Sequence, residues 1–319
     1  MFTSRARMLP LVLASSLGLA ALTGCGSSGD AAADGRTDVV ASFYPLAFLA
    51  ERVGGPDVSV TTLTRPGAEP HDLELTPKQV GRVGRADLAL FIKGVQPAVD
   101  DAVAKHAKDA AFDAASHVKL IPAPAEDEHE HEHGHEDEHG DEGHDHGEQD
   151  PHLWLDPDRM ATVATALGER LAEDDAAHAA GYRARAAALS AELKKLDGAF
   201  AAGLKSCTRD TLVTAHAAFG YLADRYKLKQ ISIAGVDASS EPSPRRLAEL
   251  THQIKDAGAT TVFTETLVSP KVAEALAREA GVKTAVLDPV EGVKEGSRDD
   301  YLSLMRANLA AIKPALGCS

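Results

Sequence analysis

The stretch TLVTAHAAFGYLADRYKLKQISIAG, residues 211–235, decides the reading of the fold. It opens with a short run of β-branched and apolar residues, Thr211–Ala215, passes into a helical pattern near Phe219–Tyr226, and closes with a second apolar run, Gln230–Ile233. Strand, helix and strand in that order argue for parallel strands with a helix laid across the sheet.

The same alternation extends outward through two similar halves. In the first, strands are expected at Val39–Phe43, Val58–Thr62, Leu88–Ile92 and Val118–Ile121, with helices near Leu46–Val53, Pro77–Val83 and Gln96–Ala107. In the second, Thr261–Thr264 and Thr284–Leu287 continue the strands, and Pro244–Ala257, Pro270–Ala280 and Asp300–Ile312 the helices. Between the halves, Met160–Ala172 is amphipathic, and Ala176–Leu204 is rich in helix formers with only Gly181, Gly198 and Gly203 interrupting. A continuous helix there would span roughly 43 Å at 1.5 Å per residue; two shorter helices bent at Gly198 are the alternative. The expected class is α/β: two lobes, each a mostly parallel sheet flanked by helices, joined by one long linker helix.

One segment stands apart. EDEHEHEHGHEDEHGDEGHDHGE, residues 126–148, holds seven histidines, twelve carboxylates and four glycines, and has no apolar side chain with which to build a core. It supplies −12 of the net charge of −15, so the remaining chain is close to neutral and nucleic acid is not an expected partner. Its imidazoles, His129, His131, His133, His135, His139, His144 and His146, are candidate weak metal sites. They need no fixed geometry, and imidazoles are mostly uncharged at neutral pH, so a purely solubilising loop would not require them. A solvated insertion with accidental metal affinity is the plain alternative.

The N-terminus reads as an export signal. Arg5 and Arg7 precede an apolar run, Met8–Leu22, too short for a membrane-spanning helix, which ends in Leu22-Thr23-Gly24-Cys25. This resembles a lipobox, in which Cys25 is acylated; a Gly/Ser/Ala-rich tether follows. The expected organisation is a signal at 1–24, a tether at 25–37, a first lobe at 38–157, a helical segment at 158–205 and a second lobe at 206–319. Export leaves Cys207 and Cys318 in an oxidising compartment, where two remaining cysteines invite one disulfide.

Ligands of open parallel sheets bind at the carboxyl ends of strands. Four polar residues occupy such places: His71 in RPGAEPHDLELTP, His152 in DPHLWLDP, His216 at the end of TLVTAH and Asp288 at the end of TAVLDP. Three imidazoles and a carboxylate would complete a four-coordinate shell suited to zinc. Each residue alone reads equally well as a hydrogen-bonded histidine or an Asp-Pro turn. His106, His117, His178 and His252 lie away from strand carboxyl ends and are assigned to structure.

Taken together, the lipobox, GAEPHDLELTP, the acidic histidine run closing on DPHLWLDP, VTAHAAFGYLADRYKL, FTETLVSP and VLDP resemble the zinc-type solute-binding lipoproteins of metal ABC importers. The resemblance covers essentially the whole mature chain. It implies metal held between two lobes by His71, His152 and His216, with Asp288 as the carboxylate and Glu69 or a water as an alternative fourth ligand. Manganese-type relatives tend to carry a carboxylate at the position of His216, so the imidazole there points to Zn2+. It further implies a cognate ABC permease and its ATPase as partners, a lipid anchor on the outer face of the cell membrane, a monomer, and no enzymatic activity. A manganese-binding homologue, an adhesin or metal-storage lipoprotein, and a zinc hydrolase are the alternatives. For a hydrolase the sequence offers no H-E-x-x-H motif outside the histidine-rich segment 126–148, and no spare carboxylate placed as a base.

Overall fold

Strands β1 (Thr37–Ala41), β2 (Val58–Thr62), β3 (Leu88–Phe91) and β4 (Ala111–Asp113) form the first sheet in the order β2-β1-β3-β4. Strands β5 (Thr211–Thr214), β6 (Lys229–Ser232), β7 (Thr261–Thr264) and β8 (Lys283–Val286) form the second in the equivalent order β6-β5-β7-β8. Every pairing is parallel. The structure is a computed structural model and describes residues 35–124, 149–240 and 242–319. The expected signal, the tether up to residue 34, Cys25 and the histidine-rich segment 126–148 lie outside the described residues.

Side-chain alternation explains why both sheets are covered on two faces. On β1, Val39 and Ala41 enter one apolar cluster and Val40 another; on β3, Leu88 and Leu90 divide from Ala89 and Phe91 in the same way. In the second lobe Leu212 and Phe263 face the shared central cluster, while Val213 and Val262 face an outer one. Successive residues of a strand point to opposite faces, so each run must be apolar throughout to bury both.

Helices α1 (Tyr44–Gly54), α2 (Pro77–Val83) and α3 (Pro97–His106) cover the first sheet, and α6 (Gly220–Tyr226), α7 (Pro244–Asp256), α8 (Lys271–Ala280) and α9 (Tyr301–Leu316) the second. Between them, α4 (Pro157–Asp174) and α5 (Ala179–Gly203) lie against each other. A Cβ on Gly168 would stand 2.5 Å from that of Ala186, which shows how closely the two backbones approach. α5 packs on α1 and also on α9, so one helix touches both lobes. It runs unbroken past the exposed Gly198 for 25 residues, about 37 Å. It starts three residues later than its composition suggests because Asp175 ends α4. The Asp175 backbone N–H bonds Leu171, and its carboxylate accepts from the Tyr182 hydroxyl. No helix among the described residues is long and apolar enough to cross a membrane.

Two expectations need correcting. Val118–Ile121 is not a strand, and the fourth strand is the shorter Ala111–Asp113. The Asp113 carboxylate accepts from the backbone N–H of Lys93 at 3.1 Å and of Ala115 at 3.0 Å, turning the chain into a 3-10 helix over Ala114–His117. The final helix continues past Ile312 to Leu316, and Cys318 then meets Cys207 in a disulfide that closes a span of 111 residues.

Candidate metal centre

His71 follows β2 on a loop whose course is set by Arg65-Pro66-Gly67-Ala68. Gly67 has φ +76° and the Ala68 N–H returns to the Arg65 carbonyl at 3.1 Å, the type II turn that needs glycine at its third position. Beneath the loop, the buried Gln96 side chain donates to the Pro70 carbonyl at 3.0 Å and to the Thr64 hydroxyl at 2.9 Å. His152 lies in an Asx turn, its N–H donating to the Asp150 carboxylate at 2.9 Å. His216 stands two residues past the end of β5, and Glu265 directly after the neighbouring β7. Topology therefore brings strand carboxyl ends of both lobes to one place.

The side chains that meet there are His71, His152, His216 and Glu291. Their ligating atoms lie within 4.8 Å of one another, and the Glu291 Oε1 stands 3.5, 3.8 and 3.3 Å from the Nε2 atoms of the three histidines in that order. Donors at about 2.0–2.1 Å from a tetrahedral ion sit about 3.3 Å apart, so the Glu291 oxygen already stands near that spacing from the imidazoles, and the wider pairs must draw in to close on an ion. All four residues are buried, and none of these four ligating atoms has a hydrogen-bond partner in the protein. Buried polar atoms are otherwise almost always satisfied, so four orphans pointing at one spot mark a place for a cation.

Two histidines are held from behind. Asp150 Oδ1 lies 2.8 Å from His152 Nδ1, and Glu265 Oε2 lies 2.7 Å from His216 Nδ1. A carboxylate at Nδ1 retains the proton there and leaves the Nε2 lone pair free for a metal. Glu265 Oε1 also accepts from the His216 N–H at 3.1 Å. His71 has no such carboxylate behind its Nδ1, which is itself a buried orphan.

The electrostatics without an ion are those of a carboxylate among imidazoles. Burial would raise Glu291, but His216 and His71 outweigh it and hold the carboxyl well below the usual carboxylate range. Burial pushes His71 and His216 down, yet the facing carboxylates prevail: Glu291 and Glu69 lift His71, and Glu265 and Glu291 lift His216 well above the ordinary imidazole value. His152 is lowered, because its complete burial outweighs Asp150.

Asp288 does not join the group. Its carboxylate accepts from the Thr266 hydroxyl at 2.9 Å and from the Val290 N–H at 2.7 Å, so one oxygen braces its own turn and the other ties that turn to the chain after β7. Glu69 accepts from the N–H groups of His71 at 3.0 Å and Asp72 at 3.2 Å, capping the loop beside the cluster, with its nearest oxygen 3.9 Å from His71 Nε2. The carboxylate that arrives instead is Glu291, three residues past Asp288. Its only sequence signal is an acid enclosed in the apolar stretch LDPVEGV after a strand. Asp150 and Glu265 are likewise visible only as acids within DPHLWLDP and FTETLVSP. His106, His117, His178 and His252 all lie elsewhere; His117 stacks on Phe112 with ring centroids 4.5 Å apart, and His178 pairs with Asp175.

Residues 39–315 match the family described as the periplasmic component A of the zinc-uptake complex. The chain belongs to that family. It is 35% identical over 314 residues to the zinc-binding lipoprotein AdcA of Streptococcus pneumoniae strain R6, covering 96% of this chain and 60% of AdcA. It is 31% identical over 303 residues to the high-affinity zinc uptake system protein ZnuA of Bacillus subtilis, covering 92% of each. This zinc-uptake family member thus spans about 60% of the length of its AdcA relatives. Among solved structures, the Zn(II)-bound ZnuA-like domain of S. pneumoniae AdcA superposes with a TM-score of 0.73 at 32% identity, covering 88% of this chain and 99% of that one. The laminin-binding protein Lmb of Streptococcus agalactiae, described as a bifunctional adhesin and metal transporter, superposes at 0.75 and 30% identity with the same coverages.

Proposed function

We propose that this chain binds a zinc ion as cargo through His71, His152, His216 and Glu291 and delivers it to the permease of an ABC importer. The observation that carries this reading is the convergence of four buried, unpartnered donor atoms, three of them imidazole nitrogens. Nitrogen-rich, four-coordinate donor sets suit zinc, whereas magnesium and calcium seek six or more oxygens. The zinc-binding AdcA and the zinc-uptake protein ZnuA among its relatives support the same assignment. Binding rather than hydrolysis is favoured because Asp150 and Glu265, the acids adjoining the imidazoles, are committed to holding them. The protein works outside the cytoplasm as a monomer anchored through an acylated Cys25, and the histidine-rich segment gathers zinc weakly beside the tight site.

Competition with a zinc chelator tests the assignment. Wild-type chain should bind one ion tightly, and His71→Ala, His152→Ala, His216→Ala and Glu291→Gln should each weaken that binding while unfolding remains cooperative. Wild-type affinity in His216→Ala or Glu291→Gln would overturn it. Zinc uptake by cells lacking the chain, compared with cells expressing the Glu291→Gln protein, tests delivery.

A further inference from the structure

Glu291 is presented by a turn with an unusual backbone. Val290 has φ +58°, a left-handed conformation that β-branched residues rarely adopt, and it is completely buried. The other non-glycine residue with positive φ among the described residues, Lys227, ends helix α6, where such a conformation is common. Nothing comparable accounts for Val290, so its neighbours must hold it.

Two sets of contacts do so. Within the second lobe, Asp288 Oδ1 accepts the Val290 N–H and its Oδ2 accepts the Thr266 hydroxyl. Asn308 grips Asp288 on both sides, accepting its N–H at 2.8 Å and donating to its carbonyl at 2.6 Å. From the first lobe, the indole N–H of Trp154 donates to the Pro289 carbonyl at 2.7 Å. Trp154 is wholly buried, two residues beyond His152. Its ring lies 5.0 Å from the His152 ring and 4.8 Å from Phe43, and its carbonyl accepts from the Tyr301 hydroxyl at 2.6 Å. One indole therefore touches a ligand of the first lobe and grips the turn that carries the ligand of the second.

We infer that Trp154 and Asp288 are positioning residues for Glu291, holding the 288–291 turn in its left-handed form so that the first lobe fixes where the second lobe's carboxylate stands. This deepens the zinc-binding reading and rests on it. Without the indole bond or the Asp288 brace, Val290 relaxes toward negative φ and Glu291 swings away from the imidazoles, leaving three nitrogen ligands and solvent.

The test is a double-mutant cycle on the mature chain, read by zinc competition and by the visible absorption of the cobalt-loaded protein. Trp154→Phe keeps an aromatic ring and removes the donor. It should cost about tenfold in zinc affinity, the usual scale for groups that orient metal ligands. In a Glu291→Gln background the same change should cost nothing further, and cobalt-loaded Trp154→Phe should show the spectrum of cobalt-loaded Glu291→Gln. Wild-type affinity in Trp154→Phe, or an equal loss in both backgrounds, overturns the inference, since the latter would place the effect on His152 or on general packing. If Trp154→Phe does not unfold cooperatively, Asp288→Ala carries the same cycle with the same expected and overturning results. A wild-type chain that bound neither zinc nor cobalt would instead sink the zinc reading itself.

Discussion

Replacing Gly220 with alanine should loosen the metal centre without loosening the helix it belongs to. Gly220 has helical angles, φ −57° and ψ −47°, so alanine meets no backbone strain there and is the better helix former by up to about 1 kcal/mol. Its new methyl, however, would lie 2.4 Å from Asp150 Oδ2, where ordinary contact begins at 3.4 Å. The carboxylate must retreat by about 1 Å. The Asp150 backbone cannot retreat with it, because its N–H bonds the Ile121 carbonyl at 2.9 Å and its carbonyl accepts the Tyr221 hydroxyl at 2.7 Å. With the backbone held, the carboxylate can move only by turning about its side chain, which displaces the other oxygen, Oδ1, and strains the bonds it accepts from the His152 N–H at 2.9 Å and holds with the ring Nδ1 at 2.8 Å. The hold that fixes the His152 tautomer is then weakened. Losses of this type run to about 10–100-fold in metal affinity, or about 1.4–2.7 kcal/mol. Chelator competition measures the affinity, and urea unfolding of the metal-free protein measures the fold, expected to remain within about 1 kcal/mol of wild type. In an Asp150→Ala background the added methyl should cost no further affinity. Wild-type zinc affinity in Gly220→Ala would refute the reasoning.

Zinc affinity should fall as pH drops, beginning above about pH 6.5, since His71 and His216 hold their protons more firmly than free imidazole and must release them to bind metal. Competition titrations from pH 8 to 5 would show it, and a flat affinity down to pH 6 would contradict it. Removing the disulfide by Cys207→Ser with Cys318→Ser should lower stability by about 4–5 kcal/mol, the loop-entropy scale for a closed span of 111 residues, with zinc affinity unchanged. Urea unfolding checks the first part; a loss below about 1 kcal/mol would mean that the packing of α9 alone secures the C-terminus. Deleting residues 126–148 should abolish weak zinc sites seen in calorimetry and leave the tight site within about twofold of wild type, since none of the four converging side chains lies there.

The alternation of short strand-forming runs and helices places β2 and β7 to the residue: both are rich in β-branched residues, and β7 ends abruptly at the acid Glu265, β2 at the turn after Leu63. The three histidines were legible for a related reason: each follows a strand or an Asp-Pro turn, where the chain is committed to the strand-end face. Glu291 was not. Its orientation depends on a left-handed Val290 and on a bond from Trp154, 135 residues earlier, and neither leaves a local pattern. Asp288 drew attention because Asp-Pro after a strand is conspicuous, yet that same position lets its carboxylate serve its own turn. The run Val118–Ile121 misled because its apolar character serves packing against the central cluster rather than pairing in the sheet.

Pro122 and Gln149 face each other in an antiparallel bridge, and the Asp150 N–H bonds the Ile121 carbonyl. The chain therefore departs and returns through a single gate, fastened on the far side by Tyr221. Closing a longer excursion through the same gate is cheap, about 0.6 kcal/mol for each doubling of length. Residues inserted, lost or exchanged beyond Pro122 and before Gln149 consequently leave the four converging side chains where they are. Natural variation can rewrite the composition of the segment between Pro122 and Gln149 as a trait inherited separately from the affinity of the buried site.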